Sequence, residues 1–156
     1  MLISIISVGH KPPTWVKLAL EEYLKRFGRE IIIKLEEIPA PTRTKNSVIA
    51  QLIDEESKLI ENKIPKGAYV IALDIQGKMP TTESLSQDMV QWMQRGTSIC
   101  FIIGGADGLN QNLLNKSHER LSLSRLTFPH PLARVILIEQ LYRAYSLLQG
   151  HPYHRA

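Results

Sequence analysis

A glycine-rich loop lies in the second half of the chain, directly after an apolar segment typical of a buried strand. Gly104, Gly105 and Gly108 fall within five residues there. Glycine lets a backbone approach a ligand closely and exposes its N–H groups. The spacing matches neither the dinucleotide pattern G-x-G-x-x-G nor a Walker A loop. The loop therefore predicts either a ligand site or a tight strand-to-helix turn.

A proline-rich turn, Thr127-Phe128-Pro129-His130-Pro131, precedes the longest helical pattern of the chain. Its two prolines restrict the backbone on both sides of His130 and remove two N–H donors. Such a stiff segment suits a preorganised wall against a ligand, with the Phe128 ring packed on a flat group. It also suits a plain helix start, with Pro131 in the first turn.

The last residues, 150–156, combine aromatic, basic and titratable side chains. His151, Tyr153, His154 and Arg155 lie within five residues. Rings of this kind stack on bases, an arginine binds phosphate, and histidine titrates near neutral pH. No third ligand lies near His151 and His154 in the sequence, so we predict no metal site. The tail predicts contact with nucleic acid.

The positive charge of the chain is concentrated in its C-terminal third. The formal net charge is +4, and residues 109–156 hold six basic but only two acidic side chains. Residues 1–108 are balanced, and four of the five histidines lie beyond them. This asymmetry predicts either a surface that faces a polyanion such as nucleic acid or a solvated basic helix.

Several other kinds of chemistry find no support in the sequence. No nucleophilic triad or pair of catalytic carboxylates stands out. The single cysteine, Cys100, lies in an apolar segment and is predicted to be a core residue that forms no disulfide. Asp74 and Asp107 lie at the ends of predicted strands, near glycines, as turn-forming aspartates do. The acidic run 54–56 predicts a solvated helix face.

Apolar runs of strand length alternate with helical patterns about five times along the chain. The predicted strands cover 2–8, 31–38, 68–75, 98–103 and 121–124, and the predicted helices cover 16–27, 48–60, 85–93, 109–116 and 132–149. This alternation predicts one α/β domain over residues 1–156, with a parallel sheet between helices on both faces. The near-continuous apolar strands agree with burial on both sides.

Ligands of open α/β sheets bind beyond the carboxyl ends of the strands. Three such ends in this chain are unusual, namely 73–77, 104–108 and 123–128. The sequence therefore predicts that any ligand site lies in the second half of the sheet.

The longest predicted helix, 132–149, is apolar over more than half of its circumference. A helix of this kind needs cover on two sides, which predicts a subunit interface in addition to the sheet. Glu139 and Arg143 are four positions apart on it and are predicted to pair.

The N-terminal apolar run, 2–8, is too short for a signal peptide or a membrane span, and no basic segment precedes it. With a single cysteine, the chain lacks the disulfide framework of small secreted proteins. We therefore expect a cytoplasmic protein without a membrane partner.

The combined motifs resemble the ribosomal RNA large subunit methyltransferase H family, in the SPOUT class of S-adenosylmethionine-dependent methyltransferases. The resemblance runs the full length and is carried by Ile102-Ile103-Gly104-Gly105-Ala106-Asp107-Gly108, Leu121-Ser122-Leu123-Ser124, Thr127-Phe128-Pro129-His130-Pro131 and His151-Pro152-Tyr153-His154-Arg155. It implies an α/β sandwich with a parallel sheet and a C-terminal trefoil knot. It also implies a homodimer that methylates N3 of a pseudouridine in large-subunit rRNA of the assembled ribosome, without a metal.

The resemblance also implies roles for individual residues. The implied cofactor pocket, for S-adenosylmethionine and its product S-adenosylhomocysteine, consists of Leu73, Gly104, Leu123, Ser124, Arg125, Leu126, Thr127 and Phe128. The implied catalytic residues are His130, Arg143, His154 and Arg155, and the implied RNA-binding residues are Arg134, Tyr153, His154 and Arg155.

Two questions stay open at the level of sequence. The imide N3 must lose a proton, and either His130 or His154 accepts it, or Arg143 or Arg155 lowers the imide pKa. The alternatives for function are a SPOUT-type tRNA 2′-O-methyltransferase and a ribosome-binding factor without catalysis. A nucleotide-binding signalling domain is a more distant possibility.

Overall fold

The computed structural model describes residues 1–155, so that Ala156, the last residue of the predicted tail, lies outside it. Strands and helices alternate along the chain. The strands are β1 (Leu2–Val8), β2 (Ile32–Ile38), β3 (Tyr69–Lys78), β4 (Ile99–Ile103) and β5 (Glu119–Leu121). The helices are α1 (Thr14–Leu24), α2 (Ile49–Lys63), α3 (Thr82–Arg95), α4 (Gln111–Lys116) and α5 (His130–Leu148), followed by a terminal 3₁₀ turn (Pro152–His154).

The five strands form one sheet in the order β2-β1-β4-β3-β5, and every pairing is parallel. The central strand β4 is buried throughout its length. Its side chains alternate between the two faces, as the period of a strand requires. Ile99, Phe101 and Ile103 pack in one hydrophobic cluster, and Cys100 and Ile102 pack in the other. The predicted parallel sheet and the buried Cys100 are therefore confirmed.

Helices cover both faces of this sheet. The larger cluster contains side chains from α1, α3 and α5, such as Val16, Met89 and Leu137. The smaller cluster contains Ile60 from α2 and Leu113 from α4. Each fully buried large apolar side chain stabilises the fold by about 1.5–3 kcal/mol relative to exposure. The α/β class with helices on both faces is thus confirmed.

Strand β2 departs from the prediction of a sheet buried on both sides. It lies at the edge and pairs with β1. Ile32 is 57% exposed, and only Ile38 of this strand is buried. Its polar residues Lys34, Glu36 and Glu37 fit that position, because an edge strand needs charge to resist further pairing. For β2 the predicted burial was wrong.

Several boundaries also differ from the sequence-based ones. Helix α1 ends at Leu24, short of the predicted 27, and α5 begins at His130, two residues before the predicted 132. Pro131 lies in the first turn of α5, where a missing N–H costs nothing. The last strand covers Glu119–Leu121, so that residues 122–129 form an irregular segment instead of extending it.

None of the helices in residues 1–155 has the length and apolar character needed to cross a membrane. The trefoil knot and the organisation as a single domain stay predictions.

Candidate functional site

A cavity of about 530 Å³ opens at the carboxyl ends of β4 and β5, beside the part of β3 where its regular pairing with β5 is interrupted after Leu73. Three segments that are distant in sequence form its walls: residues 73–75 in the middle of β3, the glycine loop after β4, and the irregular segment that leads into α5. Parallel α/β sheets bind ligands at this edge. The residues that line it include Leu73, Asp74, Gly104, Gly105, Leu123, Ser124, Leu126, Thr127, Phe128, His130 and Ala133.

The glycine loop closes on itself. The Gly108 N–H donates a hydrogen bond of 3.1 Å to the Gly105 carbonyl, and Gly108 has a φ of +83° that favours glycine. A Cβ built on Gly104 would lie 2.5 Å from the Gly108 carbonyl carbon. A side chain at Gly104 would therefore force the loop open. Close backbone packing, and not a need for flexibility, explains why position 104 is a glycine.

The opposite wall, residues 122–129, is fixed by its own serines. The Ser122 hydroxyl donates to the Ser124 carbonyl at 2.9 Å, and the Ser124 hydroxyl accepts from the Leu126 N–H at 2.9 Å. Leu126 is 72% exposed at the cavity. An exposed leucine on a rigid, concave wall gives a ligand an apolar contact surface.

His130 lies where α5 begins and contacts the backbone after β1. A Cβ on Gly9 would lie 2.6 Å from the His130 Nε2, so the ring occupies the space that this glycine leaves. Burial lowers the pKa of His130, and the positive charge of Arg134 and the nearby His10 lower it further. A histidine with a lowered pKa is neutral at neutral pH and can accept a proton.

The structure brings the glycine loop and the proline-rich turn together in this one cavity. Seven of the eight residues implied for the cofactor line it, namely Leu73, Gly104, Leu123, Ser124, Leu126, Thr127 and Phe128. Arg125 is exposed and is absent from the lining. Among the implied catalytic residues, His130 lines the cavity, and Arg143, His154 and Arg155 do not.

A second group of side chains, which we call the tail cluster, consists of Tyr23, Arg26, Glu139, Arg143 and Tyr153. The Tyr153 hydroxyl shares hydrogen bonds with the Tyr23 hydroxyl at 2.9 Å and the Glu139 carboxylate at 3.1 Å. Arg143 donates to the same carboxylate at 2.6 Å, which confirms the predicted pair. The guanidinium carbons of Arg143 and Arg26 lie 5.0 Å and 5.5 Å from the centre of the Tyr153 ring. These contacts fix the tail on α5.

The tail cluster and the cavity lie at different parts of α5. Arg143 follows His130 by 13 positions, or about 20 Å along the helix axis. In the tail, His154 Nδ1 contacts the His151 carbonyl, and Arg155 is exposed. A single chain therefore does not bring Arg143, His154 and Arg155 to the cavity that His130 lines.

Arg134, implied as an RNA contact, has a different environment from the one expected. Its side chain is only 4% exposed and its Nη1 donates to Glu37 on β2 at 2.8 Å. Its Nε has no hydrogen-bond partner within the described chain. The burial follows from the position of Arg134 on the first turns of α5, facing the sheet edge. Arg134 is therefore buried in the single chain, and its implied role in RNA binding stays a prediction.

Glu56 is a site residue that the sequence analysis missed. It was predicted on a solvated helix face, but it is only 1% exposed, whereas Asp54 and Glu55 are exposed. Leu52, Glu56 and Ile60 follow one another at intervals of four and are all buried. That periodicity was the signal that could have identified its position.

Within residues 1–155, no group of three His, Cys, Asp or Glu side chains converges as a metal site would require. Apolar side chains predominate in the lining of the cavity, together with the backbone of the glycine loop and the polar residues Asp74, Ser122, Ser124, Thr127 and His130. This composition suits an organic ligand with a flat ring.

Comparisons with known proteins identify the family of the chain. The family described as "Predicted SPOUT methyltransferase" matches residues 1–154. The chain is similar to the protein named ribosomal RNA large subunit methyltransferase H of Legionella pneumophila (strain Paris), with 48% identity over 153 residues and 98% of each chain. Proteins of the same name are 45% identical over 155 residues in Neisseria meningitidis serogroup B, covering 99% of both chains, and 41% identical over 155 residues in Francisella philomiragia, covering 99% of this chain and 100% of the relative. The chain therefore belongs to the ribosomal RNA large subunit methyltransferase H family of SPOUT methyltransferases.

Proposed function

We propose that this protein is an S-adenosylmethionine-dependent methyltransferase that modifies N3 of a pseudouridine in the large-subunit rRNA of the assembled ribosome. The observation that carries the proposal is the cavity in which the glycine loop and the 122–130 segment face each other. The names of the full-length relatives support the reaction and the RNA class. Because the proposed substrate is ribosomal, the proposal includes a cytoplasmic location.

The cavity fits S-adenosylmethionine in size and in composition. A volume of about 530 Å³ lies in the range of small-molecule sites. Leu73, Leu126 and Phe128 supply apolar walls for an adenine ring. Gly104 and Gly105 have no side chains, so only their backbone groups line this part of the cavity. Bound S-adenosylmethionine supplies a methyl group that its sulfonium already activates, so that no metal is required.

The residues of the chain have to position the base and remove its proton. His130 lines the cavity and is neutral at neutral pH, so it is the better placed acceptor for the N3 proton. Arg143 and Arg155 are guanidinium groups that stabilise negative charge as it develops on the imide. Alignment of the base with the donor supplies much of the remaining rate enhancement.

The proposal requires a homodimer, because the tail has to come from a second copy. Within one chain, Arg143 and the tail residues His154 and Arg155 do not line the cavity. Apolar side chains exposed on α1 and β2 offer a surface for that copy: Trp15 is 55%, Leu18 is 59% and Leu35 is 36% exposed. In a two-fold dimer, the tail of each protomer completes the cavity of its partner.

The RNA contacts in the proposal come from the positive C-terminal third and from the tail. Tyr153 is held in place by the tail cluster, and His154 and Arg155 follow it at the surface. A fixed aromatic ring beside cationic side chains suits an unstacked base and its phosphate.

Transfer of a tritiated methyl group tests the proposal. Assembled ribosomes, separated subunits and tRNA are each incubated with the protein and labelled S-adenosylmethionine. We expect label in large-subunit rRNA, on the base, and only from assembled ribosomes. Label on a tRNA ribose would instead support the 2′-O-methyltransferase. Absence of transfer, together with no binding of S-adenosylmethionine or S-adenosylhomocysteine by calorimetry, would support the non-catalytic ribosome-binding factor.

A further inference from the structure

The carboxyl group of Glu56 is buried, and one of its two oxygens has no hydrogen-bond partner within residues 1–155. The residue is 1% exposed, and its Oε2 has no hydrogen-bond partner in the described part of the chain. Burial raises the pKa of Glu56, with Arg43 opposing the shift and Asp107 adding to it. A carboxyl in this environment destabilises the fold unless something else is gained from its position.

Glu56 lies directly behind the glycine loop. A Cβ on Gly105 would be 2.7 Å from the Glu56 Oε2, so the carboxyl fills the space beside this glycine, although Glu56 does not itself line the cavity. Gly105 itself lines the cavity. The carboxyl therefore limits how far this part of the loop can move back from a ligand.

Arg43 connects the same carboxyl to a second point of the loop. Its Nη2 lies 3.8 Å from the Glu56 Oε1 and donates to the Asp107 Oδ2 at 2.7 Å. One guanidinium group thus bridges a carboxylate of α2 and a carboxylate of the glycine loop. Both contacts are made by the same nitrogen of Arg43, Nη2, which lies between the two carboxylates.

Helix α2 also holds the end of the loop. The Ser57 hydroxyl accepts from the Asn110 N–H at 2.9 Å, and the Asn110 amide donates to the Asp54 carboxylate at 3.0 Å. Together with the contacts of Glu56, these bonds attach the loop to α2 at Gly105, Asp107 and Asn110. The helix is therefore the support on which the loop keeps its shape.

We propose that Glu56 and Arg43 are positioning residues that hold the glycine loop in the conformation that binds the cofactor. The inference rests on the proposed function, since it concerns the same cavity. It adds two residues outside the cavity lining to those that set cofactor affinity.

The variant Glu56→Gln tests this role because it keeps the shape of the side chain and removes its charge. Arg43 then loses one of its two carboxylate partners. We expect the affinity for S-adenosylmethionine and for S-adenosylhomocysteine, measured by calorimetry, to fall about tenfold, which corresponds to about 1.4 kcal/mol. In methyl transfer to ribosomes, KM for S-adenosylmethionine should rise, while kcat at saturating cofactor stays within about twofold.

A matched control and a second variant keep the test decisive. Glu55→Gln removes the same charge from the exposed neighbouring position and should leave cofactor affinity unchanged. Arg43→Gln alters a side chain that is 43% exposed, so folding is preserved, and it should weaken cofactor binding as Glu56→Gln does. Arg43→Lys, which keeps the charge, should restore part of the affinity.

Unchanged cofactor affinity in both Glu56→Gln and Arg43→Gln would overturn the inference and leave the proposed function intact. If Glu56→Gln does not fold, the affinity of Arg43→Gln for the cofactor alone decides whether the inference holds. Failure of the wild-type protein to bind S-adenosylmethionine or S-adenosylhomocysteine would overturn the proposed function, and this inference with it.

Discussion

The side chains around the cavity depend on positions where a Cβ is missing. The His130 ring fills the space beside Gly9, the Glu56 carboxyl fills the space beside Gly105, and Gly104 packs against the backbone of Gly108. Each of these glycines follows the carboxyl end of a strand, where the ligand edge of the sheet lies. The shape of the site therefore depends on glycine at these three positions as well as on the groups that line the cavity.

We expect Gly104→Val to abolish cofactor binding, because the new Cβ would lie 2.5 Å from the Gly108 carbonyl carbon. The loop would have to open, and the backbone groups that face the cavity would move. Calorimetry with S-adenosylhomocysteine provides the measurement. Gly67→Ala is the control: its Cβ meets no atom within 4 Å, although its φ of +76° makes the substitution mildly strained. Normal affinity in Gly104→Val would show that the loop does not contact the cofactor.

His130 should make stability depend on pH in a definite direction. Its pKa lies below the ordinary 6.5 in the folded protein, so in the window below 6.5 the unfolded chain binds more protons than the native one. The contribution of His130 to the free energy of unfolding is therefore fully present above this window and is lost as the pH falls through it. The free energy of unfolding, measured with urea between about pH 5 and pH 8, should fall less on acidification for His130→Gln than for the wild type. Identical pH profiles would argue against a buried, neutral imidazole.

At the scale of elements, α5 has two separate tasks. Its first turn carries His130 at the cavity, and its second half carries Glu139 and Arg143 in the tail cluster. Eight of its residues are buried, including Leu137, Ile138 and Leu141. This packing holds the helix against the sheet and fixes the separation of the two sites along it.

The tail variants His154→Ala and Arg155→Ala should lower methyl transfer and leave cofactor affinity nearly intact. Neither side chain lines the cavity of its own chain, and a cationic group that stabilises developing charge contributes about 10²-fold to the rate. The measurements are methyl transfer to ribosomes and calorimetry with S-adenosylmethionine. Arg29→Ala, at an exposed arginine far from the tail in sequence, serves as the control. Loss of cofactor binding in the tail variants would make the tail part of the cofactor pocket.

Local patterns were sufficient for the fold and for most of the cavity. The apolar runs and their alternation with helices predicted the parallel sheet, and the strand ends at Leu73, Gly104 and Leu123 predicted the cavity. The burial of Arg134 could not follow in the same way, because Arg134 pairs with Glu37 of β2, which is distant in sequence. The burial of Glu56 agrees with the period of α2, but its contact with Arg43 depends on the folded chain. The exposure of β2 depends on its edge position, which is a property of strand order.

At the scale of the whole molecule, the proposed dimer predicts complementation between two inactive variants. In a mixed dimer of Gly104→Val and Arg155→Ala, one site combines an intact cavity with an intact tail, whereas the other contains both defects. Random mixing makes half of the dimers mixed, with one of two sites working, so about one quarter of wild-type methyl transfer should return. Co-expression followed by the ribosome assay measures this. A mixture as inactive as the separate variants would show that the tail acts in its own chain.

The charge of the whole molecule should make ribosome association depend on salt. The excess positive charge lies in residues 109–156, and each phosphate contact releases counterions on binding. Sedimentation with ribosomes at increasing salt should show steadily weaker binding. The affinity for S-adenosylhomocysteine, measured over the same range, should change far less. Salt-independent association would indicate that apolar contacts hold the protein on the ribosome.

The 13 positions between His130 and Arg143 also determine direction, since each residue of a helix turns by about 100°. The two side chains therefore project to nearly opposite sides of α5, about 220° apart. In the proposed dimer, one helix consequently serves two reaction centres. A copy altered at both Gly104 and Arg155 would then silence every mixed dimer that it enters, because it spoils one centre through its cavity and the other through its tail. In a cell that also makes the normal protein, such a copy would behave as a dominant inhibitor.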